Sequence, residues 1–188
     1  MSDTGKKILD YAQKLIVQRG FNAFSYKDLA DKIGIKTSSI HYYFPTKEDL
    51  SLAVAERFVK DFSDELNKLD SSISSPLRRI EHYGKLFLSA LDDGEGFCLC
   101  ASLATDRVSL SDDTKEVVKN FFRSSQDWVK KTIKAGQEKG EISEQLNAAK
   151  TAVSIVSLFE GALVLARAHQ EEKPVKEAIS WAKEILKS

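Results

Sequence analysis

Residues 24 to 50, FSYKDLADKIGIKTSSIHYYFPTKEDL, hold the densest run of side chains that could do chemistry. Thr37, Ser38 and Ser39 bring hydroxyls that donate or accept at base edges and phosphates. Tyr42 and Tyr43 bring phenol groups, and Lys36 and Lys47 bring ammonium groups; both kinds hold phosphate oxygens and set register. His41 and, just upstream, Ser25 and Tyr26 complete the set. The chemistry is recognition of a polyanion with readable edges, which describes duplex DNA. Thr37 and Ser39 are expected to read sequence, and Tyr42 and Lys47 to hold the backbone.

Such residues work only if elements present them together. Ser25, followed three residues later by Asp28, is a start signal for a helix. Leu29, Ala30 and Ile33 then share one face, and Gly34 ends the helix. Lys36 to Ser39 open a second helix that Ile40 and Phe44 anchor. Pro45 stops it, and Thr46 caps the next. A helix lying in a major groove about 12 Å wide needs small or polar leading residues. An aromatic core cluster is the competing reading of HYYF. Three consecutive polar-tipped rings on one helix cannot all face one core, so some must point outward.

The helix ILDYAQKLIVQRGF, the segment SYKDLADKIGI and the block SSIHYYFPTKEDL together resemble the DNA-binding domain of the TetR family of bacterial transcriptional regulators. The order departs from the family's habit, with His41 before the two tyrosines, and Ser38 stands where the family often has glycine. The resemblance implies an all-α fold of about nine helices. A three-helix helix-turn-helix domain over 1–50 would precede a helical ligand-binding and dimerisation domain over 51–188. It also implies a homodimeric repressor, released from a pseudo-palindromic operator by a small-molecule inducer.

Composition is compatible with this without arguing for it. The 28 basic and 28 acidic residues of the 188 cancel, so no global field draws the chain to nucleic acid. Residues 1–50 carry eight Lys/Arg against six Asp/Glu, a weak local excess. No hydrophobic run is expected to span a bilayer and MSDTGKK lacks a signal-peptide core, so the expected place is the cytoplasm, with no membrane partner. His41, His82 and His169 are far apart, and no metal-ligand spacing, phosphate loop or nucleophile elbow is present. The sequence therefore predicts no enzyme, no metal and no cofactor.

The remaining chain reads as helices. A long fourth helix from Lys47 to about Leu69 touches both lobes and is the expected lever. A fifth begins at Pro76, and Asp92, Asp93, Gly94, Glu95 and Gly96 break it. A sixth covers about 97–105, and Ser111 caps a seventh that Gly140 closes. The eighth, about 147–170, has only Glu160 and Arg167 charged between Ala152 and Ala168, so it must be buried on more than one side. The ninth is amphipathic, with Val175, Ala178, Ile179, Ala182, Ile185 and Leu186 on one face. Helices 8 and 9 are expected to pair with their copies in a four-helix interface, a monomer core being the competing reading. Two recognition helices about 34 Å apart would then read one DNA face.

Tyr83, Phe87, Phe97, Cys98, Phe121, Phe122, Trp128, Phe159 and Glu160 are the candidate inducer-lining residues, each with ordinary core packing as its alternative. Glu160 could meet a cationic ligand, pair with Arg167 or sit at an exposed edge. Cys98 and Cys100 could be core residues. Alternatively, Cys98, near a helix start, could sense oxidants or electrophiles. A helical enzyme or carrier is the remaining functional class.

Overall fold

The computed structural model describes residues 2–91 and 96–188. Among them every regular element is helical: α1 (Asp3–Arg19), α2 (Tyr26–Ile33), α3 (Thr37–Tyr43), α4 (Lys47–Ser72), α5 (Pro76–Ser89), α6 (Leu99–Thr105), α7 (Asp112–Glu138), α8 (Ala148–His169) and α9 (Lys173–Lys187). Two short 3₁₀ turns, Phe21–Ala23 and Arg107–Ser109, join them. Asp92, Asp93, Gly94 and Glu95, four of the expected helix breakers, lie outside the described residues.

The chain forms two compact units, one of residues 1–61 and 99–120, the other of 62–98 and 121–188. The first unit follows its sequence signals closely. Ser25 and Asp28 form a reciprocal capping box at the head of α2, and hydrogen bonding from Ser25 holds the Asp28 carboxyl below its usual range. Gly34 ends the helix in the left-handed region at φ 77°, where a side chain is strained. Ile8, Ile16, Leu29, Ile40, Leu50 and Val54 are fully buried and make its core.

Two further ties within this unit lie beyond the local motifs. Asp106, between α6 and the second 3₁₀ turn, reaches the turn after α1. Its Oδ2 accepts the Phe21 backbone N–H at 2.7 Å, and its Oδ1 accepts from Asn22 Nδ2 at 3.1 Å. Ser51 on α4 meets Thr114 on α7 at 3.3 Å, and both residues are fully buried.

The second unit is built around α5, α8 and α9. α8 buries Ala152, Ile155, Val156, Phe159, Ala162, Leu163 and Ala166. It is long and apolar enough to cross a membrane by length and composition alone, which corrects the expectation that no such run exists. The buried stripe within the unit gives the helix a different use, as a core element. α6 starts at Leu99, two residues later than the spacing predicts. The Gly96 N–H donates to Leu91 O at 2.7 Å, and a Cβ there would sit 1.7 Å from Ala90 O, so the backbone turn needs glycine. Phe97 and Cys98 follow outside any helix.

Replacing Asp106 by alanine strands the Phe21 N–H in a partly buried turn. The expected loss is about 1–3 kcal/mol in urea unfolding. An unchanged midpoint would show that water satisfies the turn equally well.

Candidate nucleic-acid interface and effector core

α3 is seven residues long, too short to persist alone, so its direction must be imposed by neighbours. Ile40, fully buried, and Phe44 fix its inner side. Lys36, Ser38, His41 and Tyr42 are exposed, Thr37, Ser39 and Tyr43 half-buried. Tyr42 is 82% exposed and meets the Tyr43 ring edge-on at 5.2 Å. The Tyr43 hydroxyl accepts a hydrogen bond from Ser2 Oγ at 2.8 Å. His41 Nδ1 lies 3.0 Å from Pro45 O, and its ring stands edge-on to Tyr26 at 4.8 Å.

Two of the expected DNA contacts sit differently. Tyr26 is buried, and its hydroxyl donates to the carbonyls of Phe44 and Thr46. Burial, with Asp49 and Glu48 nearby, pushes its ionisation well above the ordinary range. Lys47 turns its ammonium inward, donating to Phe24 O and lying 4.7 Å over the Phe21 ring and 4.1 Å over that of Phe24. Burial pulls its pKa down, opposed by Glu48, Asp106 and Asp28. Periodicity held the clue to both. Tyr26 falls three and four residues before Leu29 and Ala30, and Lys47 three before Leu50, on inward faces. Ser25 is exposed but committed to its cap, donating to Asp28 Oδ2 at 2.6 Å.

In the second unit, rings gather around the fully buried Tyr83. It stacks with Trp128 at 5.5 Å and meets Phe87 at 5.3 Å, Phe159 at 5.7 Å and Phe62 at 6.1 Å. Phe121 joins through Phe62 at 5.1 Å, and the ring of half-buried Phe122 meets that of Phe121 at 5.2 Å. Trp128 Nε1 donates to Asp70 Oδ2 at 3.0 Å. Phe97 stands apart from this ring network, under the Arg167 guanidinium at 5.4 Å.

Polar groups converge on the same core from several elements. The Tyr83 hydroxyl is hydrogen-bonded with Ser125, a residue the sequence reasoning passed over. Glu160 is hydrogen-bonded with Cys98, and its Oε2 is buried without a hydrogen-bond partner among the described residues. Burial pushes the Glu160 carboxyl up to about 7, with the Cys98 bond opposing. Cys98 and Cys100 are both buried, and neither is in a disulfide. No group of His, Cys, Asp or Glu among the described residues is arranged to hold a metal ion.

One unit carries an exposed polar helix braced on a capped helix, and the other a polar-lined aromatic core; together they are the parts of a helix-turn-helix regulator. The model of bacterial regulatory proteins of the tetR family matches residues 8–54, and that of the tetracyclin repressor-like C-terminal domain matches 76–181. The chain belongs to the TetR family and is a DNA-binding transcriptional regulator. The transcriptional repressor DhaR of Mycobacterium sp. (strain GP1) is 23% identical over 95% of this chain and 90% of its own. A TetR-family regulator from Agrobacterium tumefaciens superposes with TM-score 0.92 at 28% identity, over 98% of this chain and 97% of that one. A TetR regulator from Legionella pneumophila gives 0.87 at 30%, over 99% and 98%.

Two measurements test these assignments. Lys47→Met keeps the apolar stem but loses the ammonium's bond and ring contacts. It is expected to lower stability by about 1–2 kcal/mol. Weaker DNA binding at an unchanged melting point would mean that the ammonium serves phosphate instead. Glu160 should make stability depend on pH. Below the ordinary value of 4.5 it is protonated whether folded or not, so it imposes no penalty. Between 4.5 and about 7 the unfolded chain ionises first and stability falls; above 7 the full penalty stands. Glu160→Gln is expected to stabilise the protein by roughly 3 kcal/mol at about pH 8, with the gain shrinking towards about pH 5. A gain independent of pH would show that the carboxyl titrates normally.

Proposed function

We propose that the chain is a homodimeric repressor that reads a pseudo-palindromic operator and leaves it when a small-molecule inducer binds. The observation that carries the DNA reading is the outward strip of α3. Ser38, His41 and Tyr42 are exposed there, while Ile40 is fully buried behind them. Thr37, Ser38 and Ser39 are proposed to meet base edges, and Lys36, His41, Tyr42 and Tyr43 to meet bases or phosphates. Ser25, Tyr26 and Lys47 contribute chiefly by orienting α3. Residues 1–50 carry this role, and 51–188 carry inducer binding and dimerisation.

Support for the dimer comes from the second unit's surface. Val153, Val164 and Leu165 on α8 and Trp181 on α9 are each about half exposed. Gly161, Ala162 and Ala178 help line a groove beside them. Exposed apolar side chains on two adjacent helices suit a second copy related by a twofold axis. The setting that suits such a protein is the cytoplasm, with DNA and no membrane as partner.

The proposed inducer core is the cluster around Tyr83, with Phe87, Phe121, Phe122, Trp128, Phe159 and Glu160 near it and Phe97 and Cys98 leading into α6. Its groups suit binding rather than turnover, in keeping with relatives that are named as regulators. An oxidant- or electrophile-responsive trigger at Cys98 is the weaker reading. The thiol is 5% exposed and bonded to a carboxyl, and both oppose a reactive thiolate.

Tyr42→Phe is expected to weaken binding to all duplexes alike, and Ser39→Ala to change the preferred sequence. Affinities of both variants across a duplex panel check this, and identical profiles would contradict the division of labour. Leu165→Lys is expected to yield monomers in sedimentation. A persistent dimer would move the interface elsewhere.

A further inference from the structure

We propose that the second unit binds an organic cation, with the Glu160 carboxylate as counter-charge and the ring cluster centred on Tyr83 as its apolar wall. The inference rests on the reading of this unit as an inducer-binding domain.

Three observations carry it. First, Glu160 Oε2 is buried with no hydrogen-bond partner among the described residues. A carboxylate oxygen kept from water and left unpaired is costly, and an apolar residue of similar size would serve packing better. Second, none of the described cations neutralises it. Among the described residues, the hydrogen-bonding group on the carboxyl is the Cys98 thiol. The Arg167 guanidinium, the expected partner, lies over the Phe97 ring. Third, the surroundings favour positive charge. Glu160 follows Phe159 directly and acts electrostatically on Tyr83, whose ring contacts Phe87, Trp128 and Phe159. Aromatic faces are electron-rich, and rings beside one carboxylate form the usual setting for quaternary ammonium groups.

Access is compatible with this. The residue as a whole is half-buried although Oε2 itself is shielded, so the side chain has a route to solvent. The wall is apolar, so the ligand's body should be apolar or aromatic and its charge localised. A bare inorganic cation fits poorly, because one carboxylate with a thiol beside it gives no oxygen cage.

The test uses the full-length protein in mildly alkaline buffer, where the carboxyl is ionised. Calorimetry is run with benzyltrimethylammonium and with neopentylbenzene, which replaces the charged nitrogen by carbon. The expected result is saturable cation binding at one site per chain. Binding should be at least about tenfold weaker in Glu160→Gln, which replaces the charge at constant shape. The uncharged isostere should bind the wild type no more tightly than it binds the variant. Absence of saturable binding, equal cation affinity in the variant, or an isostere that binds as well as the cation would overturn the proposal. The charged and uncharged pair decides on the wild type alone, should the variant fold poorly. Salt-dependent duplex binding is measured on the same preparations. If it is absent, the regulator reading fails. If it is intact while the cation does not bind, only the cation site fails.

Discussion

The direction of α3 depends on a small buried knot behind it. The Tyr26 hydroxyl holds the carbonyls of Phe44 and Thr46, at the end of α3 and the start of α4. Lys47 holds the Phe24 carbonyl, at the entry to α2. Seven helical residues cannot keep their own geometry in water. These polar struts, with Ile40 buried behind the helix, hold the short α3 in place. Net charge plays little part, since the whole chain is neutral. In the proposed reading, placement rather than field strength would let DNA use the exposed strip of Ser38, His41 and Tyr42.

The same logic runs to the end of the first unit. Asp106 clasps the turn at Phe21 and Asn22, and Phe21 lies under the Lys47 ammonium. A carboxylate eighty-five residues downstream therefore touches the same knot that sets α3. The chain reaching Asp106 passes through α6, directly after Cys98, the hydrogen-bond partner of Glu160. The buried Glu160 carboxyl is a group whose energy the proposed ligand would change.

The local rules carried most of the fold. The Ser25–Asp28 capping box, the left-handed Gly34, the Pro76 start and the caps of α7 and α8 all rest on chemistry within four residues. The outward position of Tyr42 followed from three rings on one short helix. Other features were hidden because they depend on distant partners. Tyr26 was expected among the DNA contacts and Lys47 at a phosphate because their tips are polar, yet both spend those tips on backbone carbonyls. Periodicity marked the inward faces, while side-chain type pointed outward. Asp106 and Ser125 carried no local signal, since each acts on a residue more than forty positions away. Glu160 stood out as an acid in an apolar helix, but the shielding of its Oε2 without a hydrogen-bond partner among the described residues became visible only in the folded chain.

The central claim is that this chain reads DNA sequence through two copies of α3. The most direct measurement is selection of bound duplexes from a random-centred pool, followed by sequencing. The account predicts inverted half-sites with centres about one helical turn, or a small multiple of it, apart. Recovery of sequence-blind binding that salt erases would contradict it.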